Sequence, residues 1–165
     1  MTLFAATSTA MAHERAVFRD HLATELRGDA RIVAAWIGGS IGRGEADDLS
    51  DIDIYLAVAD EHCIQLNTER RAFVAEFGEP ILIQEAPQNA PPGGAFQLVL
   101  YRGMTAPIEV DWSWRPASTA ALPERAVVLF DRSGGLPRTS SNSSSTDSRR
   151  RPGTSRAGRR RAAVG

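Results

Sequence analysis

The sequence predicts an α+β fold, an α/β sandwich in which helices pack on a mixed, largely antiparallel sheet. Three observations predict it. Helical periodicity is confined to two separated stretches, residues 12–27 and 61–77. The remaining apolar residues fall in short runs of strand length, and glycine or proline punctuates the joints between them.

In chain order, residues 12–27 place Ala16, Val17, Ala23 and Leu26 among polar residues, with Phe18 and Leu22 four apart, an amphipathic helix. Little before Met11 has a structural pattern, so Met11 is a candidate alternative start. Ile32 to Ile37 is a short apolar strand that ends in the turn Gly38-Gly39. Asp51 to Val58 alternates and reads as a second strand. Residues 61–77 carry Ile64, Leu66, Phe73, Val74 and Phe77, and Gly78 and Pro80 close that helix. Strands are expected at about 81–85, 96–102 and 107–114, with Pro87 to Gly94 as the turn between the first two. A last strand, Ala126 to Phe130, precedes the turn Asp131-Arg132-Ser133-Gly134-Gly135.

Composition excludes several classes. No stretch approaches the roughly 18 apolar residues of a membrane span. The N-terminus lacks the basic start and long apolar run of a signal peptide. The single cysteine, Cys63, rules out an internal disulfide. A reducing, cytoplasmic setting is therefore expected. Charge is unevenly spread: residues 1–137 hold 11 Arg against 19 acidic residues, a net of −8, whereas residues 138–165 hold 8 Arg against Asp147, a net of +7. There is no lysine, so any cationic side chain on a phosphate must be arginine.

The domain is expected to span residues 12–136. Residues 137–165 are rich in Ser and Arg, with Val164 their only large apolar residue. They have nothing to set against a backbone ordering cost of roughly 1–2 kcal/mol per residue, and disorder is expected there. The tail also lacks aromatic residues for base stacking, and the rest of the chain is acidic. Nucleic acid is therefore not the expected partner.

The chemistry concentrates between Trp36 and Val58. A strand ends in Gly38-Gly39-Ser40, Ile41-Gly42-Arg43-Gly44 and an acidic loop follow, and Ser50-Asp51-Ile52-Asp53-Ile54 comes next. Residues i and i+2 of a strand share a face, so Asp51 and Asp53 project together and Ile52 and Ile54 face the core. Carboxylates about 5.5 Å apart repel by roughly 3 kcal/mol at an effective dielectric near 20, which calls for a compensating cation. Mg²⁺ takes carboxylate and phosphate oxygens together. An isolated Asp-x-Asp is more often a solvated strand end; its companions make this one specific. The Gly-Gly-Ser turn offers backbone N–H groups and the Ser40 hydroxyl to an anion. Arg43 either meets a phosphate or pairs on the surface with Glu45, Asp47 or Asp48. Downstream, Glu109 and Asp111 share one strand face, and one of them completes a carboxylate triad if that strand neighbours Asp51 and Asp53.

Together these residues resemble the nucleotidyltransferase superfamily that includes DNA polymerase beta and the aminoglycoside nucleotidyltransferases. The family pattern is a strand, Gly-Ser, an interval of about nine to thirteen residues, and an acidic pair separated by one apolar residue. Gly39-Ser40 and Asp51-Ile52-Asp53 match it, Gly42-Arg43-Gly44 matches a frequent variant of the interval, and Asp111 fits the third carboxylate. The resemblance covers residues 12–135. It implies that Asp51, Asp53 and Asp111 hold Mg²⁺, two ions being expected. Gly39 and Ser40 would cradle the β- and γ-phosphates, and Asp111 would orient or deprotonate the acceptor hydroxyl.

The implied reaction moves a nucleoside monophosphate, AMP from ATP, to a hydroxyl of a small molecule such as an aminoglycoside-like compound, releasing pyrophosphate. Small-molecule members of the family usually continue into a helical domain that walls the acceptor site. Here Ser/Arg-rich sequence begins at that point, which suggests a truncation or a shifted reading frame. A second reading is a minimal nucleotidyltransferase antitoxin acting on a protein partner, and a third is an inactive fragment.

Trp36, Trp112 and Trp114 lie on predicted strands and are assigned to core packing. His13, His21 and His62 have no metal-ligand spacing.

Overall fold

The computed structural model describes residues 3–47 and 50–139, with side chains from Ser8 onward. In chain order the elements are α1 (Leu3–Gly28), β1 (Ile32–Ile37), the short helix α2 (Gly39–Arg43), β2 (Ile52–Val58) and α3 (Cys63–Ala75). They continue as β3 (Pro80–Glu85), β4 (Ala95–Tyr101), β5 (Ile108–Pro116), β6 (Leu122–Pro123), β7 (Val127–Asp131) and β8 (Arg138–Thr139). Six strands form one sheet in the order β3-β4-β5-β2-β1-β7, and β6 pairs with β8 separately. Every pairing in the large sheet is antiparallel except β2 with β5, which is parallel. This is the mixed, largely antiparallel α+β sheet expected from the sequence.

Two departures have physical causes. α1 begins at Leu3 rather than near residue 12. The alanines at positions 5, 6, 10 and 12 are the strongest helix formers and extend it without an apolar stripe. The domain also continues two residues past Pro137: Arg138 and Thr139 pair with Leu122 and Pro123, and the Pro137 carbonyl accepts the Leu122 N–H at 2.8 Å. The remainder of the expected disordered tail, residues 140–165, lies outside the described residues, as does Asp48.

Strand alternation sorts the side chains onto two faces. α1 and α3 cover one. There Leu22, Leu26, Leu66, Phe73 and Val74 pack on Ile52, Ile54, Leu56, Val110, Trp112 and Trp114. Phe73 meets both tryptophans edge-on, with ring centroids 5.7 and 5.9 Å away. Both indole N–H groups are satisfied: Trp112 donates to the Tyr101 hydroxyl (3.1 Å) and Trp114 to Asn67 (2.7 Å). Among the described residues the other face is covered only at one end, where Ala120 and Leu122 close over Trp36, Ala34 and Ala57. No helix among the described residues is long and apolar enough to cross a membrane.

Candidate active site

The register of two parallel strands assembles the acidic site. β2 lies beside β5 with Asp53 directly opposite Asp111 and Ile52 opposite Val110. Ile52, Ile54, Val110 and Trp112 all point into the helix-covered core. That fixes Asp51, Asp53 and Asp111 on the opposite face. Each of the three is half-buried, and one carboxylate oxygen from each lies within 4.8 Å of the others. Of the two candidates on β5, Asp111 therefore completes the triad. Glu109 stands one position along the same face.

Among the described residues, no cationic side chain forms an ion pair with this cluster, and the nearby Arg43 pairs with Glu45 instead. The Asp111 carboxyl is pushed up to about 6 by burial, then by the charges of Asp51, Asp53 and Glu109. Asp53 is also raised, by burial and by Asp51, with Arg43 opposing. Asp111 Oδ1 is buried without a hydrogen-bond partner. Hard oxygen ligands, mutual repulsion and an orphaned buried acceptor fit an oxygen-seeking metal ion.

The glycine turn stands directly over one of these carboxylates. Gly39 has φ +55°, and a Cβ placed there would lie 1.6 Å from Asp53 Oδ2. Only glycine fits, for both backbone and spatial reasons. The Gly38 N–H donates to the Asp53 carbonyl at 3.0 Å, which ties the turn to β2. Gly42 is also cramped: a Cβ there would sit 2.6 Å from the Arg125 carbonyl oxygen and 2.9 Å from that of Ile37. Thus α2 is pressed between β1 and the segment before β7. The Ser40 hydroxyl is buried without a hydrogen-bond partner. Arg43 takes the surface alternative, its Nε donating to Glu45 at 2.8 Å, while its charge still reaches Asp53.

Two neighbours escaped sequence reasoning. Tyr55 continues the Asp51–Asp53 alternation, stacks on Trp36 with ring centroids 5.9 Å apart, and packs against Gly38. Its period-2 position was a usable signal. Arg125 had none, because only the fold brings the β6–β7 connection to the glycine turn. With Gly38, Gly39, Arg43 and Glu124, these two residues line a cavity of about 300 Å³ beside the triad.

In comparison with known proteins, the chain matches no family model and no curated sequence.

Proposed function

We propose that the chain is a Mg²⁺-dependent nucleotidyltransferase that moves AMP from ATP to a hydroxyl of a small-molecule acceptor, releasing pyrophosphate. The observation that supports this most is the convergence of Asp51, Asp53 and Asp111 within 4.8 Å beneath a glycine turn that only glycine can form.

Asp51, Asp53 and Asp111 are the residues that would hold Mg²⁺. When bound, the metal supplies charge neutralisation for the triphosphate and polarises the phosphoryl oxygens. The Gly38–Gly39 turn and the Ser40 hydroxyl bind the phosphates beyond the reacting one. Arg43 and Arg125 add positive charge on the same side. The acceptor oxygen bonds to the α-phosphorus while the bond from that phosphorus to the bridging oxygen breaks. Pyrophosphate leaves with the electron pair, and the acceptor proton passes to an Asp111 oxygen. Asp111 suits that role because its Oδ1 is a buried acceptor with no hydrogen-bond partner among the described residues. Such transfers depend on positioning and charge stabilisation rather than covalent help from the protein.

Isothermal titration of ATP with Mg²⁺ tests the reading. Binding that requires Mg²⁺ and disappears in an Asp51→Asn/Asp53→Asn double variant is expected. A folded wild-type chain that binds no nucleotide at any Mg²⁺ concentration would remove the transferase reading.

A further inference from the structure

The sheet face that the described residues leave open does not end at the carboxylates. β4 pairs with β5 so that Leu98 lies opposite Asp111, Leu100 opposite Glu109 and Phe96 opposite Ser113. On the next strand, Leu82 lies opposite Leu100 and Gln84 opposite Leu98. Directly opposed residues share a face, so Leu82, Phe96, Leu98 and Leu100 stand on the side of Asp111, away from buried Val99 and Tyr101. None of the four belongs to either hydrophobic cluster among the described residues. Leu82 is 46% exposed. A sheet face turned to solvent is expected to be polar at these alternate positions. Here the open face is leucine-rich on β3 and β4 and acidic on β5 and β2.

We infer that this leucine-lined strip beside Asp111 and Glu109 is the acceptor-binding surface, and that its acceptor is a cationic alcohol carrying an apolar body. The inference rests on the transferase reading and narrows its acceptor class. Two arguments favour a small-molecule acceptor over other occupants. The strip is continuous with the carboxylate that receives the acceptor proton, and Glu109 offers a charge partner one position from Leu100. A hydroxyl held at Asp111 places the rest of its molecule over Leu98 and Leu100. A fully polar polyol would lose water from its hydroxyls against these side chains without compensation, whereas an alkyl or ring carbon surface gains by burial.

The test compares N-hexylglucamine with N-methylglucamine, which share a hydroxylated cationic head and differ only in the apolar group. Each is titrated, below its aggregation concentration, into the full chain carrying labelled leucine methyl groups. Tighter binding of the hexyl compound by about tenfold is expected, the equivalent of burying roughly two methylenes. Shifts should centre on the methyls of Leu82, Leu98 and Leu100. Leu82→Ser, at a half-exposed edge position, and Leu100→Ser should each reduce that preference, with melting curves verifying the fold. Equal binding of the two compounds, or shifts elsewhere, overturns the inference. Methyl shifts that follow protein concentration alone also overturn it, because the strip is then a contact between two copies of the chain. Mg²⁺ with ATP is titrated into the same sample: nucleotide binding without a leucine response overturns this inference alone, whereas no nucleotide binding overturns the transferase reading and with it the acceptor role.

Discussion

On β5, Trp112 and Trp114 are completely buried against α3, while Asp111 and Glu109, each only a residue or a few away, stand on the opposite face. The same contrast runs along β2 between Ile52 and Ile54 on one side and Asp51, Asp53 and Tyr55 on the other. On the helix-covered face the indoles of Trp112 and Trp114 are enclosed and their N–H groups are bonded, although the amide of Gln97, buried opposite Trp112, has no hydrogen-bond partner among the described residues. The other face leaves Asp111 Oδ1 and the Ser40 hydroxyl buried and unbonded and brings three carboxylates together. The open face differs in that its unbonded acceptor lies within a cluster of like charges. Such a cluster of hard oxygen atoms could hold a metal ion.

The largest expected effect breaks the helix-covered face. Trp112→Ala removes an indole that touches Phe73 and Phe77 and bonds Tyr101, whose own hydroxyl donates to the Val74 carbonyl at 2.7 Å. Loss of so large a buried side chain costs about 3–5 kcal/mol. For a single domain this approaches the whole stability. Urea denaturation should show a midpoint near zero denaturant or no cooperative transition. A loss below about 1 kcal/mol would mean that the helix-covered face does not carry the fold.

A smaller effect separates the site from the scaffold. Gly39→Ala forces a Cβ toward Asp53 Oδ2 and holds a non-glycine residue at φ +55°. The conformation alone costs about 1–2 kcal/mol, and the carboxylate must move as well. Gly44 provides the control: its φ is +73°, but a Cβ there meets nothing within 4 Å. Gly44→Ala should show the conformational cost only and retain Mg²⁺ binding. Gly39→Ala should lose more stability and lose the Mg²⁺ response, read by calorimetry and by thermal melts with and without the ion. Equal behaviour of the two variants would show that the turn does not position Asp53.

How much of this was legible in the sequence follows from what kind of information each part needs. The sheet class and most strand limits were readable because alternation in β2 and β5 is a local pattern. Asp51 and Asp53 were readable for the same reason, since two residues on one strand fix their own spacing. Choosing Asp111 over Glu109 required the β2–β5 register, which is a property of pairing and not of either strand. The start of α1 was missed because an alanine-rich turn carries helix propensity without amphipathic periodicity. Tyr55 was within reach of the alternation that found Asp53. Arg125 was not, since its position beside Gly42 follows from the return of the chain through β6.

The smallest effect reports the repulsion on the open face directly. Asp111 sits at about 6 in the folded chain, against about 3.9 for an unperturbed aspartate. Between those values the native state binds more protons than the unfolded state, so this group's contribution to stability falls as pH rises through that window. The full penalty is present above about pH 6 and is relieved below about pH 4. Glu85 works in the opposite direction. Hydrogen bonds from Arg70 and Arg71 hold its carboxyl below the usual range, so its stabilisation is present above an unfolded value near 4.3 and is lost as pH falls below it. The two windows meet near pH 4–5, which leaves pH 5–7 to the raised carboxylates. Asp111→Asn removes the titrating group while keeping its shape. In metal-free buffer the variant should therefore gain stability over the wild type as pH rises from 5 to 7, by on the order of 1 kcal/mol after solvent screening, a melting shift of a few degrees. With Mg²⁺ at pH 7 the order should reverse, because the wild type then binds a cation that the variant holds less well. A difference between the two proteins that stays constant from pH 5 to 7, with or without Mg²⁺, would mean that Asp111 feels neither its neighbouring carboxylates nor the ion.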